Sequence, residues 1–297
     1  MKKLIIFLIV GFFLVLFFQE KELFPDGRTT ILFRGEVFTI TSLSPREKSL
    51  SFLFIPAKTL VETAGGYGRY RIEAFNRLEK IENKPFLLQK SLVSDFGLPI
   101  DGEINGALRP RDELFKKDLK KWYQAEIWNS LRKIRKTNLE TASLLRLYFF
   151  SFLVKPEEIK VISLEEGRTL REVSFSDGDV FYELNEEKTD VLIREIFFEK
   201  KIIEEGLVVG VANATEKTGL AKEFSRIIVN LGGTVVKLGG WSEQLPSSEI
   251  RFNQEENGES FLVQRLAEIL NCQIVEKDFD QFPVDILVII GKDYQQD

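Results

Sequence analysis

The spacing of hydrophobic positions changes several times along this chain, and each change marks an element. Leu4 to Phe18, "LIIFLIVGFFLVLFF", is apolar on every side. That pattern suits lipid rather than one face of a globular helix. At about 1.5 Å per residue the run is short for a ~30 Å hydrocarbon core, and local thinning with snorkelling of Lys2 and Lys3 takes up the difference. Small residues for a signal peptidase are missing between Phe12 and Asp26. The segment therefore reads as an uncleaved anchor over 1–20, lysines inside and everything after Gln19 outside.

Beyond "PDG" the period falls towards two. "TTILF" (Thr29 to Phe33), "EVFTITSL" (Glu36 to Leu43) and "SLSFLFI" read as strands, the last two forming a hairpin around "SPREK". Helices are predicted over Arg71 to Ile81 and Pro85 to Phe96, the second closed by Gly97. A longer helix, Leu114 to Arg135, places Leu119, Trp122, Tyr123, Ile127, Leu131 and Ile134 on one stripe. Another follows with Thr137 or Asn138 as its cap. "EEIKVISL" is a strand, and "TLREVSF" with "VFYEL" a hairpin turning at Asp177-Gly178. A helix from Glu186 to Glu204 leads into the tail. From Gly206 the order is β-α-β-β-α-β, ending in the buried strand "VDILVIIG". The fold class is α/β (α+β), divided as an anchor at 1–20, a mixed domain at 28–184, a linker helix at 185–205 and a small domain at 206–297. The last is long enough to fold alone.

Composition narrows the chemistry. The 297 residues carry a net charge of −5, no His and a single Cys, Cys272. Ser-His-Asp and Cys-His catalysis are excluded, as are Cys/His zinc sites. The weak acidity and the lack of a basic face argue against nucleic acid as a partner. Cys272 sits among apolar neighbours as a small core residue. No cofactor and no metal site is expected.

"VVGVANATEKTGLAKEF", "LGGTVVKLG" and "DILVIIGKDY" together resemble the C-terminal domain of LytR-type cell-envelope proteins. "VFTITSLSPREKSLSFLFIPAKTLVE", "FLLQKSLVSDFGLPIDGEI" and "KTNLETASLLRLYFF" resemble a degenerate LytR-CpsA-Psr domain. That resemblance implies a family that moves wall polymers from a polyprenyl pyrophosphate to peptidoglycan, with Asp and Arg side chains holding metal and pyrophosphate. Where the family's hairpin strand ends in Arg-Asp, this chain has Ala57-Lys58. Ala lacks the guanidinium fork that matches phosphate oxygens, and Lys repels a divalent cation. Glu36 lies near the acidic position expected at the start of the hairpin. Arg109, Arg111 and Asp112 echo the family's basic run.

Two readings follow. In the first, the protein is a membrane-anchored, extracytoplasmic and non-catalytic envelope protein. It binds wall glycan, a polyprenyl-linked precursor or another envelope protein. Lys58, Arg69, Arg71, Arg109 and Arg111 are its candidate contacts for an anion or lipid phosphate. In the second, it is a divergent phosphotransferase using Glu36, Lys58, Arg69 and Arg109. In the tail, the loop holding Asn213, Thr215, Thr218 and Gly219 is the candidate surface. It sits at a strand-to-helix junction where amides can hold an anion, or where Asn213 turns the chain and Thr218 caps the helix.

Overall fold

The computed structural model describes residues 27–295 apart from 65, 111–114, 165–167, 175–178, 253, 278 and 280–281. The expected anchor, Arg111 and the Asp177-Gly178 tip lie outside the described residues. Among the described residues no helix is long and apolar enough to cross a membrane.

The chain opens with β1 (Thr29–Gly35), β2 (Phe38–Ser44) and β3 (Ser49–Ile55), an antiparallel meander. β2 and β3 are buried along their whole length. A strand covered on both faces needs no alternation, which explains the imperfect pattern in 36–43. β4 (Thr59–Glu62) and β5 (Arg69–Arg71) form a short hairpin, followed by α1 (Phe75–Glu82) and α2 (Leu87–Phe96). Gly97 closes α2 with φ 56°, its N–H donating to the carbonyls of Val93 and Ser94.

β6 (Gly102–Ala107) runs parallel to β1 and leads into α3 (Lys116–Leu131), β7 (Lys136–Thr137), α4 (Thr141–Leu153) and β8 (Ile159–Ser163). Together these strands make a six-stranded sheet ordered β7-β6-β1-β2-β3-β8. β9 (Leu170–Ser174) and β10 (Val180–Leu184) form the expected hairpin and join β4 and β5 in a second, mixed sheet. α5 (Glu186–Phe197) begins at Asn185, whose side chain accepts from the Lys188 N–H. One face of the large sheet packs Leu32, Ile40 and Leu53 against α1, α2 and α5. The other packs Ile31, Phe33 and Phe52 against α3 and α4. The result is three layers, helices over both faces of one sheet.

Three helix expectations are corrected. α3 stops at Leu131 because Lys133 turns left-handed at φ 59°, and Ile134 stands exposed instead of on the stripe. α4 starts at Thr141, not at Thr137 or Asn138. Thr137 is spent in β7, and the Asn138 side-chain Oδ1 accepts from the Glu103 N–H at 2.7 Å. The helix expected over Glu186 to Glu204 breaks at Phe198-Glu199 and resumes as α6 (Lys200–Glu205). The break lets buried Glu199 donate its N–H to Leu231 O at 2.7 Å and accept from the Arg28 N–H at 2.9 Å.

The tail contains β11 (Val208–Asn213), α7 (Leu220–Asn230), β12 (Thr234–Gly240), β13 (Glu249–Phe252), α8 (Glu255–Gly258), α9 (Phe261–Leu270), β14 (Gln273–Glu276) and β15 (Ile286–Ile290). Its sheet runs β12-β11-β15-β13-β14, with β15 at the centre as its apolar sequence predicts. β14 is the strand that the sequence pattern misses. It is four residues long, lies at the sheet edge and is only half-buried. Ile286, Val288 and Ile290 meet α7 and α9 on one face, while Leu287 and Ile289 meet Phe279 and Phe282 on the other. α9 starts at Ser260, and the Glu205 carboxylate from α6 accepts from the Phe261 and Leu262 N–H groups.

The tail is locked to the upstream half by polar groups. Arg226 on α7 donates to Asp190 at 2.7 Å and to the Ser94 and Asp95 carbonyls at the end of α2. Buried Asn230 donates to Gly97 O at 3.0 Å. These are the carbonyls that a helix end leaves unpaired. Arg265 on α9 reaches Asp101 and Arg28 O at 3.1 and 3.2 Å.

Candidate functional site

β3 must end at Pro56, and the chain turns there, the Thr59 N–H donating to Pro56 O. The turn opens a pocket of about 280 Å³ lined by Glu36, Phe38, Phe54, Ala57, Arg109 and Leu164 among others. Gly35 lets β1 approach β6 here, since a Cβ would stand 2.0 Å from Ala107 O. That approach sets the Glu36 N–H on Ala107 O and the Glu36 carboxylate on the Arg109 N–H at 2.9 Å. Among the described residues, the pocket lining therefore holds the Glu36 carboxylate, the Arg109 guanidinium and an apolar wall containing Ala57.

The other sequence candidates lie elsewhere. Lys58 is exposed, outside the lining of this pocket, and its carbonyl accepts from the Tyr182 N–H. Arg69 pairs with Glu183 at 2.8 Å and Glu62 at 3.5 Å. Arg71 pairs with Glu73 at 3.1 Å and stacks over Phe181. Both forks already face carboxylates rather than the pocket beside Ala57.

Arg69 instead lines a groove of about 310 Å³ between the two halves of the chain, with Asp95, Glu183, Gly219, Lys222 and Arg226. Burial pushes the Asp95 carboxyl up to about 6, against the Glu62 N–H that it accepts. A carboxyl raised on folding holds its proton more tightly in the folded state, so stability falls as pH climbs from about 4 to about 6. Asp95→Asn should remove that slope. It should match the wild type near pH 4 and exceed it by up to about 2–3 kcal/mol at pH 7, measured by urea unfolding.

In the tail loop, the Asn213 side chain donates to Lys217 O at 2.7 Å and accepts from the Thr215 N–H at 3.0 Å. The Lys217 N–H donates to the Thr215 hydroxyl. The loop's amides thus close on the loop itself. Thr218 does not cap α7: Gly219 holds that position at φ 92° with open space around it, and so serves backbone angle rather than close packing. Cys272 is half-buried against the tail core, and burial pushes its thiol up to about 12. That makes it inert.

Residues 206–294 match the family model described as LytR cell envelope-related transcriptional attenuator. The match is confined to the tail, which is similar to a LytR-type C-terminal domain. A comparison with curated proteins finds no match. Among solved structures, yvhJ from Bacillus subtilis is 12% identical with a TM-score of 0.43, over 56% of this chain and 94% of its own. Lin1025 from Listeria innocua is 10% identical with a TM-score of 0.42, over 57% and 96%. The LytR-CPS2A-psr family protein YwtF (TagT), solved with bound octaprenyl pyrophosphate lipid, is 15% identical with a TM-score of 0.40, over 58% and 89%. Likenesses at this level carry no functional argument.

Upstream of the LytR-type domain lies a charged cluster that no sequence pattern announces. Arg34 on β1 is buried and donates to both Glu79 oxygens at 2.9 Å and to buried Glu103 at 3.1 Å. Glu79 also accepts from the Leu88 N–H, tying α1 to the start of α2. Burial raises the Glu103 carboxyl, with Arg34 opposing the shift. Among the described residues, Arg34 Nε and Nη2 and one Glu103 oxygen have no hydrogen-bond partner. Alternation alone puts Arg34 on the inward face of Leu32, and that is the only signal in the sequence.

Proposed function

We propose that this is a membrane-anchored, extracytoplasmic cell-envelope protein that binds a wall glycan or polyprenyl-linked precursor and does not transfer it. The observation that carries the reading is the end of β3. Ala57 presents a methyl group to the pocket where a phosphate-binding fork would be required, and Lys58 stands outside it. Transfer demands both charge and placement of the reacting phosphoryl group. Among the described residues, Arg109 and Glu36 are the charged groups of the lining, and they supply charge without a fork that places a phosphoryl group. The LytR-type domain supports the envelope assignment, and the uncharged run at Leu4 to Phe18 supports the anchor.

A second reading, a divergent phosphotransferase, draws on Glu36 and Arg109 sharing one pocket beside Ala57. It requires a divalent cation to be held there, and hard cations take about six oxygen ligands. Among the described residues, Glu36 is the one carboxylate in the lining.

The experiment is to purify the full chain from its own membranes in mild detergent and identify co-purifying lipid or glycan by mass spectrometry. A polyprenyl-linked or wall-derived ligand, diminished by Arg109→Ala, is expected. Stoichiometric purity with no such ligand contradicts the binding reading.

A further inference from the structure

We propose that the exposed aromatic face shared by α3 and α4 rests on the surface of an anionic lipid bilayer. The proposal rests on the anchor reading above and names the part of the folded chain that meets the membrane.

Trp128, Phe149, Phe152 and Leu153 are each 45–53% exposed. They form one patch through Tyr148, whose ring lies 5.3 Å from Trp128, 5.9 Å from Phe149 and 5.1 Å from Phe152. A contiguous apolar patch of this kind marks an interaction surface, whereas single exposed apolar residues do not. Its position on a helix pair is fixed. Lys120 donates to the Phe152 and Val154 carbonyls, and Gln124 donates to the Ser151 hydroxyl, so α3 and α4 present their outer faces together.

The rim selects the occupant. Lys117 and Lys121 are exposed on the same stripe of α3 as Trp128, and exposed Arg132 continues it just past the helix end, at spacings of four, seven and four residues. Aromatic rings beside cations are the composition of the bilayer interface, where basic side chains near an anionic surface add to binding. A second copy of this chain would bring the same cations against themselves, since a two-fold contact pairs like with like. That repulsion disfavours a dimer through this face.

The start of the described chain fits the same orientation. Thr29 lines a small cavity with Ser143, Leu147 and Phe150 of α4, so the chain arrives at the body beside this helix. Eight residues, 19–26, separate Gly27, where the described chain begins, from the apolar run ending at Phe18. They span at most about 28 Å when fully extended. α4 itself is about 20 Å long. The tether keeps the aromatic face within reach of the bilayer that holds the run.

The test uses the full chain in vesicles of phosphatidylcholine and phosphatidylglycerol, with or without brominated acyl chains. Trp128 emission is obtained as the difference between wild type and Trp128→Phe. It should be blue-shifted and quenched at least about twofold by bromolipid, because a ring at the headgroup boundary contacts the upper acyl chain. Phe149→Ser with Phe152→Ser should reduce that quenching while circular dichroism stays unchanged. Protein that floats with the vesicles yet shows Trp128 emission indifferent to bromine overturns the proposal and leaves the anchor standing. Protein that fails to float overturns both. Trp128 shielded equally in plain and brominated vesicles, with cross-linked dimers, assigns the face to a second copy instead.

Discussion

Replacing Arg34 with Met should destabilise the chain by about 3–5 kcal/mol, seen as a lower urea midpoint with an unchanged slope. The guanidinium is the positive centre of a cluster that joins β1, β6 and α1. Glu103 is fully buried, and its carboxyl is already raised by burial. Without Arg34 it must either stay charged without a partner or take up a proton. The second route moves its folded-state pKa further up, so the loss should grow as pH rises and shrink in acid. Arg34→Met combined with Glu103→Leu should recover much of the deficit, since apolar replacement of a whole buried ion pair is often neutral. Equal stability of wild type and Arg34→Met at neutral pH would show that the cluster contributes nothing to the fold.

The second large effect is in the LytR-type domain. Val288→Asp should cost about 4 kcal/mol or more, or prevent folding outright. Val288 is fully buried in the central strand, paired with Val211 on one side and Ile250 on the other. Its side chain enters the core built by α7 and α9, where the surroundings are Leu, Ile, Val and Phe. A carboxylate there has no donor to meet. Val236→Asp, on an exposed position of the edge strand β12, is the matched control and should change stability by no more than about 0.5 kcal/mol. Thermal unfolding of the two variants side by side decides the point. Comparable midpoints would mean that β15 is not the buried centre of its sheet.

Elements whose pattern carries a single physical cause were legible in the sequence. The β2–β3 hairpin, the Gly97 helix stop and β15 each follow from burial, backbone angle or turn chemistry within a few residues. Elements set by distant partners were not. Glu199 breaks a strongly helical stretch because Leu231 and Arg28, far away in sequence, take its backbone and side chain. Asn138 has the identity of a helix cap but serves the Glu103 N–H across to β6. Arg34, Glu79 and Glu103 are charged, and charge in a pattern points to solvent. Only the folded chain brings them together. The candidate site was legible in part. That Ala57-Lys58 stands at the end of the strand is a local fact, but the separation of Arg69 from Arg109 depends on which strand hydrogen-bonds to which. So does the sharing of a groove by Arg69 and Gly219, from opposite halves of the chain.

The proposal turns on whether the pocket at the end of β3 performs phosphoryl transfer. The direct measurement is transfer of a labelled wall polymer from a polyprenyl pyrophosphate donor to peptidoglycan by the purified full chain, with and without magnesium, beside Lys58→Ala and Arg109→Ala. Product at the level of the no-protein control is expected in every reaction. Magnesium-dependent product from the wild type, abolished by either substitution, would contradict it.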